Sequence, residues 1–191
     1  MFIIKKKYYL LIENIKDLEL KNIKITNKYT IIYRNIKKGE NINKILLFRK
    51  KCKAKKIDFY VANNIKKAVL LKADGLYVSA YNNRLNLAPL KNLNIRIVGS
   101  AHNLKELNTK ILQGCSDIFF SRLFLTNYKN KKGFLGLIRF NLFALSRKEN
   151  LIPLGGIKQT NLNKLKIVRC NSAAFLSEAK KKPAILFSRL F

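Results

Sequence analysis

Eight short apolar segments recur along this 191-residue chain, and they constrain its fold more than any other feature of the sequence. Each is built from apolar, β-branched or aromatic residues, and several are nearly continuous in hydrophobicity instead of alternating with polar residues. Strands that are covered on both faces of a parallel sheet have this pattern. The sequence therefore predicts eight strands, at 8–12, 29–33, 57–61, 75–78, 95–98, 117–120, 151–154 and 173–176.

Helix-compatible segments separate most of these strands. The clearest one follows Ser100, where Asn103 can cap a helix, Glu106 stands three residues later and Gly114 can end it. The first, fourth and last connections are abbreviated. Further helices are predicted over 42–54, 65–71 and 137–147.

The alternation of strands and helices restricts the architecture to two choices. Eight such units in a row form either a closed barrel or a long doubly wound sheet, and the number eight favours the barrel. We therefore predict an α/β fold, a compact (β/α)8 TIM barrel in which some helices are abbreviated. Its length fits a single domain over residues 1–191.

Composition restricts the possible partners and the compartment. The chain has 40 Lys and Arg against 10 Asp and Glu, a net charge of +30, so nucleic acid, anionic membrane surfaces and phosphorylated metabolites are all candidate partners. The apolar and charged residues of the N-terminus come in the wrong order for a secretory signal, and no stretch reaches the ~18 uncharged apolar residues that cross a bilayer. Three widely separated cysteines suit a reducing compartment. We predict a cytoplasmic protein without a membrane segment.

In a barrel of this kind, the chemistry belongs at the carboxyl ends of the strands. The loops after strands seven and eight commonly hold a phosphate, and a Gly-Gly pair lets backbone N–H groups approach its oxygens. The sequence thus predicts a site for a phosphorylated ligand. Its candidate residues, each soon after a predicted strand, are Arg34, Asn63, Asn64, Asn82, Ser100, His102, Ser121, Thr126, Lys129, Gly155, Gly156 and Ser177.

Each candidate also has a structural interpretation. The glycine pair could form a tight turn, and Arg34 or Lys129 could be a solvated charge among many others. His102 is the single histidine, and it could be structural or could transfer a proton. One histidine and three scattered cysteines offer no spacing for a transition metal, and the sequence contains no phosphate-binding P-loop or dinucleotide glycine motif.

Six short motifs stand in order over nearly the whole chain. They are Ile-Ile-Tyr-Arg at 31–34, Asn-Asn at 63–64 with Ala-Asp-Gly at 73–75, Gly-Ser-Ala-His at 99–102, Phe-Leu-Thr-Asn-Tyr-Lys at 124–129, Leu-Gly-Leu at 135–137 and Gly-Gly-Ile at 155–157. No single motif is specific, but six in sequence at suitable spacing are. Together they resemble the motifs of the thiamine phosphate synthase and TenI family of (β/α)8 barrels.

The resemblance implies a reaction and roles for the candidate residues. In this family a pyrimidine methyl diphosphate is joined to a thiazole phosphate, and pyrophosphate is released as the thiazole nitrogen attacks. By this resemblance Arg34 and Lys129 neutralise the leaving pyrophosphate, and Asn63 and Ser100 position it. The residues implied to hold the thiazole phosphate are Thr126, Gly155, Gly156 and Ser177.

The chain departs from the family pattern on the pyrimidine side. The two carboxylates that bind magnesium fall on Asn64 and Asn82, a glutamine of the second strand falls on Ile32, and a lysine falls on Ile36, with Lys37 one place later. We therefore predict a thiamine phosphate synthase-like transferase whose activity is reduced or lost by these changes. No cofactor is certain from the sequence, and magnesium is expected only where a substrate carries it.

Two other functions stay open at this point. The same family contains thiazole tautomerases, in which a histidine on this loop transfers a proton, and His102 could serve. A non-catalytic binder of nucleic acid would account for the charge but not for the ordered motifs. We expect small phosphorylated substrates as partners and neither membrane nor nucleic acid; the sequence leaves the oligomeric state open.

Overall fold

Eight parallel strands, paired in sequence order, close into a barrel. The computed structural model describes residues 7–23, 27–35, 40–87, 89–126 and 133–176. The strands are β1 (Lys7–Ile12), β2 (Tyr29–Tyr33), β3 (Asp58–Ala62), β4 (Gly75–Val78), β5 (Arg96–Ala101), β6 (Asp117–Ser121), β7 (Asn150–Leu154) and β8 (Ser172–Phe175). The predicted barrel is confirmed.

Strand boundaries agree closely with the prediction except in β5. This strand continues three residues beyond the predicted end, because Gly99, Ser100 and Ala101 pair with Ile118, Phe119 and Phe120 of β6. The extension places Ser100 inside the barrel wall instead of in the loop that follows it.

Helices follow most strands, and asparagines cap three of them. The Asn41, Asn64 and Asn103 side chains accept hydrogen bonds from backbone N–H groups in the first turns of α1, α2 and α4. The helices are α1 (Ile42–Ala54), α2 (Ile65–Leu70), α3 (Pro89–Asn92), α4 (Leu104–Leu112) and α5 (Gly136–Leu145). Within the described residues, no helix is long and apolar enough to span a membrane.

The abbreviated connections lie where the sequence predicts them. Two 3-10 turns, Ile15–Asp17 and Leu20–Asn22, join β1 to β2, and the four-residue α3 joins β4 to β5. A 3-10 helix, Gln159–Ile167, stands between β7 and β8 in place of an α-helix.

A layer of aromatic rings fills the barrel interior. The Tyr9 and Phe119 ring centroids are 4.9 Å apart, those of Tyr77 and Phe119 are 5.8 Å apart, and Tyr60 meets Tyr9 edge to face at 6.5 Å. All four side chains are buried. Because edge-to-face and tilted ring pairs pack densely, the barrel centre is a solid core and not a channel.

The Ala-Asp-Gly motif serves the structure at the amino-terminal end of the barrel. Asp74 accepts one hydrogen bond from the Arg49 guanidinium at 2.7 Å and another from the backbone N–H of Phe59 at 2.8 Å. This pair ties α1 to β3. A Cβ at Gly75 would stand 2.6 Å from the Tyr60 ring and 2.7 Å from the Arg96 carbonyl oxygen, so only glycine fits there.

Candidate active site

A cavity of about 800 Å³ opens at the carboxyl ends of the strands. Leu11, Tyr77, Leu154 and Ala174 contribute to its lining from inside the barrel, and the loops after the strands form its wall. In barrels of this type, ligands bind at this end.

Eight of the predicted site residues line this cavity. Asn64 and Asn82 are not among the lining residues, and Lys129, Ser177, Ile36 and Lys37 lie outside the residues that the structure describes. The eight are Arg34, Asn63, Ser100, His102, Ser121, Thr126, Gly155 and Gly156.

His102 stands at the start of α4, on the cavity wall. Its Nδ1 lies 2.9 Å from the Ser121 Oγ, and its backbone N–H donates to the Glu106 carboxylate at 2.7 Å. The Tyr81 ring meets the imidazole edge to face, with 6.4 Å between centroids. The Ser121 and Tyr81 contacts orient the ring, which a proton-transferring histidine requires, and the Glu106 contact holds the backbone of His102.

Arg34 follows β2 on the other side of the cavity. One terminal nitrogen of its guanidinium lies 3.3 Å from the Glu13 carboxylate. Its Nε is buried and has no hydrogen-bond partner in the described part of the chain. The Arg34 side chain as a whole is partly exposed and lines the cavity, so its guanidinium can bind an incoming anion.

Ser100 receives a hydrogen bond inside the barrel. The Tyr77 hydroxyl donates to its Oγ at 2.8 Å, and both groups are buried. Desolvation raises the pKa of Tyr77, so the phenol stays protonated. Since the Ser100 oxygen accepts from Tyr77, its own proton can be donated to a ligand oxygen.

The glycine pair forms a tight turn against the loop after β6. Both residues have positive φ, 96° at Gly155 and 68° at Gly156. A Cβ at Gly156 would overlap the Phe124 carbonyl oxygen and stand 2.6 Å from that of Leu125. The glycine pair therefore bends the chain tightly, and both glycines also line the cavity, so the turn and ligand-binding interpretations are compatible.

Sequence reasoning missed Arg122, the residue directly after β6. Its side chain lines the cavity and donates to the Thr126 hydroxyl at 3.1 Å. Its aliphatic carbons lie against Gly155, where a Cβ would be 3.1 Å from the Arg122 Cγ. The available signal was its position next to Ser121, but one arginine among 40 basic residues does not stand out by charge.

Asn64 and Asn82, which the family resemblance aligns with magnesium-binding carboxylates, both accept hydrogen bonds from backbone N–H groups. The Asn64 Oδ1 caps α2 by accepting from Lys67 N at 2.8 Å, and the Asn82 Oδ1 accepts from Arg84 N at 3.0 Å. The Asn63 Oδ1 accepts from Ser79 N and from the Asn82 amide. Among the described residues, no three His, Cys, Asp or Glu side chains cluster as metal ligands. This donor set does not fit a dedicated magnesium site, which normally uses carboxylates.

Similar solved structures include a thiamine phosphate pyrophosphorylase and several aldolases. A thiamine phosphate pyrophosphorylase from Pyrococcus furiosus superposes with a TM-score of 0.71 at 15% identity, over 98% of this chain and 96% of that chain. The YdjI aldolase from Escherichia coli K12 superposes with a TM-score of 0.65 at 8% identity, over 98% of this chain and 86% of that chain. At these identities the likeness concerns the fold.

Sequence comparison narrows this fold to one family. A thiamine-phosphate synthase from Prochlorococcus marinus is 26% identical over 127 residues, 66% of this chain. The match spans 37% of the length of that curated relative. The pattern of the family described as thiamine monophosphate synthase matches residues 8–179. The chain therefore belongs to the thiamine monophosphate synthase family.

Proposed function

We propose that this chain joins two phosphorylated substrates in one cavity, as a transferase that condenses a pyrimidine methyl diphosphate with a thiazole phosphate. The observation that carries the proposal is the pair of arginines on opposite sides of the cavity. Arg34 follows β2 and Arg122 follows β6, and strands four places apart in an eight-stranded barrel face each other.

Two separated cations suit a reaction in which both partners are anions. On one side, Arg34 and Ser100 would hold the diphosphate. On the other, Arg122, Thr126 and the Gly155 turn would hold the thiazole phosphate. A tautomerase acts on a single phosphorylated substrate and needs only one of these positions.

The condensation needs charge stabilisation more than acid or base chemistry. The thiazole nitrogen supplies an electron pair to the methylene carbon of the pyrimidine, the bond from that carbon to the diphosphate oxygen breaks, and pyrophosphate leaves with the electron pair. Arg34 and the Ser100 hydroxyl would stabilise the charge that develops on the leaving oxygen.

Separate changes of the two arginines test the assignment. Arg34→Gln should weaken binding of the pyrimidine diphosphate by about tenfold or more and spare the thiazole phosphate, and Arg122→Gln should do the reverse, because a guanidinium–phosphate contact is charge-assisted. Calorimetric titration measures both affinities, and mass spectrometry measures condensation by the wild type. Arg147→Gln, two residues after the end of α5 and outside the cavity, is the control. Equal losses of both ligands in each variant, or no condensation, would contradict the proposal.

A thiazole tautomerase is the second candidate, and the hydrogen bond between His102 and Ser121 favours it. An oriented imidazole at the cavity wall could move a proton on a bound thiazole. Turnover of a thiazole substrate with no pyrimidine present would identify this function. Wild-type condensation without such turnover would exclude it.

A further inference from the structure

Lys110, in the last turn of α4, is a completely buried lysine. Its ammonium donates to the Asn82 carbonyl oxygen at 2.7 Å and to the Gln113 Oε1 at 2.8 Å. Both acceptors are neutral oxygens, and desolvation lowers the pKa of Lys110. A buried cation is costly unless its hydrogen bonds are satisfied. The role of Lys110 therefore depends on the groups to which its ammonium donates.

Gln113 donates hydrogen bonds to the same segment of backbone. Its Nε2 donates to the Asn82 carbonyl oxygen at 2.7 Å and to the Arg84 carbonyl oxygen at 2.8 Å. Two side chains one turn apart thus bind two carbonyls of residues 79–84, which we call the β4 loop. This segment has no regular secondary structure of its own, so these bonds fix its path.

The barrel wall leaves room for this arrangement. A Cβ at Gly99 in β5 would stand 2.8 Å from the Lys110 Cδ, so the lysine stem lies directly on the glycine backbone. Any larger residue at this position would displace the stem.

The β4 loop forms one wall of the candidate active site. Ser79, Ala80 and Tyr81 line the cavity, the Asn82 amide donates to Asn63, and the Tyr81 ring contacts His102. Its conformation therefore determines how these side chains face a ligand.

We propose that Lys110 is a positioning residue of this site: its buried ammonium, together with Gln113, holds the β4 loop by its backbone carbonyls and so fixes the wall that carries Tyr81. The cation that orders this wall belongs to the protein itself, at a place where the sequence lacks the carboxylates that would retain a metal ion. The cavity's role as an active site rests on the proposed function; the loop-holding role does not.

A single-tryptophan reporter tests the inference without any ligand. The chain has no tryptophan, so Tyr81→Trp introduces a unique fluorophore in the β4 loop. In that background, Lys110→Met should add fast anisotropy decay to the Trp fluorescence, because the loop loses one of its anchors. Lys105→Met, on the exposed side of the same helix, is the matched control and should leave the anisotropy decay unchanged.

Hydrogen exchange shows whether the effect is local. Without the reporter substitution, Lys110→Met should speed exchange at the hydrogen-bonded amides of Asn82 and Arg84 on the order of tenfold, with the strands unaffected. Gln113→Met removes the other side chain that binds the β4 loop carbonyls, and it should also speed exchange at these amides. Unchanged exchange in both variants, or global unfolding by both, would overturn the proposal. Failure of the wild type to condense the two substrates would overturn the proposed function and leave this result intact.

Discussion

The imidazole Nδ1 of His102 lies 2.9 Å from the Ser121 hydroxyl oxygen, and this hydrogen bond joins the carboxyl ends of two neighbouring strands, β5 and β6. It leaves the Nε2 of His102 as the ring nitrogen that is available to a ligand. Because Ser121 is the last residue of β6, the hydrogen bond fixes the orientation of the imidazole relative to the barrel wall.

We expect His102→Asn to keep the affinity for thiazole phosphate and to remove any proton-transfer turnover, because only the acid/base group is lost. Ser121→Ala should lower that turnover by roughly tenfold, since the ring keeps its chemistry but loses its orientation. Solvent deuterium incorporation into the thiazole, followed by NMR, measures the rate. A rate unaffected by His102→Asn would make the histidine structural.

Gly156→Ala should lower the free energy of unfolding by about 2–4 kcal/mol, because the added Cβ meets two carbonyl oxygens in addition to the strain of positive φ. Gly133→Ala is the matched control: φ is 83° at that residue, but an added Cβ there meets nothing within 4 Å. The control should lose only about 1 kcal/mol from backbone strain. Urea unfolding measures both. Equal losses of unfolding free energy in the two variants would show that the carbonyl oxygens of Phe124 and Leu125 do not clash with a Cβ at Gly156.

The wild type should show little or no magnesium stimulation of condensation, because Asn64 and Asn82 carry no charge and their oxygens already accept from backbone N–H groups. Asn64→Asp combined with Asn82→Asp should raise any such activity. Pyrophosphate release against magnesium concentration measures it. The single change Asn64→Asp is a control, since aspartate still caps α2. Robust magnesium-dependent turnover by the wild type would refute this prediction.

Cys52 and Cys115 should resist iodoacetamide at pH 8 in the folded protein. Burial raises the pKa of both thiols to about 12, so roughly one in ten thousand is ionised. Because the folded state keeps these protons more tightly than the unfolded chain, these thiols cost stability only as the pH rises above about 9. Mass spectrometry should find Cys170 labelled first, and all three cysteines labelled after denaturation. Early labelling of Cys52 would show that α1 opens readily.

The strands were predictable because each contains a short apolar segment, and several of these segments are nearly continuous in hydrophobicity, as strands buried on both faces require. Helix α4 was predictable from Asn103 and Glu106, whose cap is local in sequence. The end of β5 was not, because Ser100 becomes part of the strand only through pairing with β6. Local sequence patterns thus indicate where strands and helices lie, and the pairing between strands determines the residue at which a strand ends.

The site residues divide in the same way. Strand ends predict Arg34 and His102, because the barrel brings all carboxyl ends to one rim. Lys110 could not be distinguished from a surface lysine, since its burial depends on the Asn82 carbonyl, 28 residues away. Arg122 is a similar case, because it contacts Gly155 only after the fold has paired β6 with β7, the strands that directly precede these two residues.

The aromatic layer of Tyr9, Tyr60 and Phe119 has a kinetic consequence. It closes the barrel below the cavity, so a ligand can enter or leave only through the mouth at the carboxyl ends of the strands. In the proposed condensation, both products would have to leave by the mouth through which both substrates enter. New substrates would therefore bind only after the products of the previous turnover have cleared that mouth.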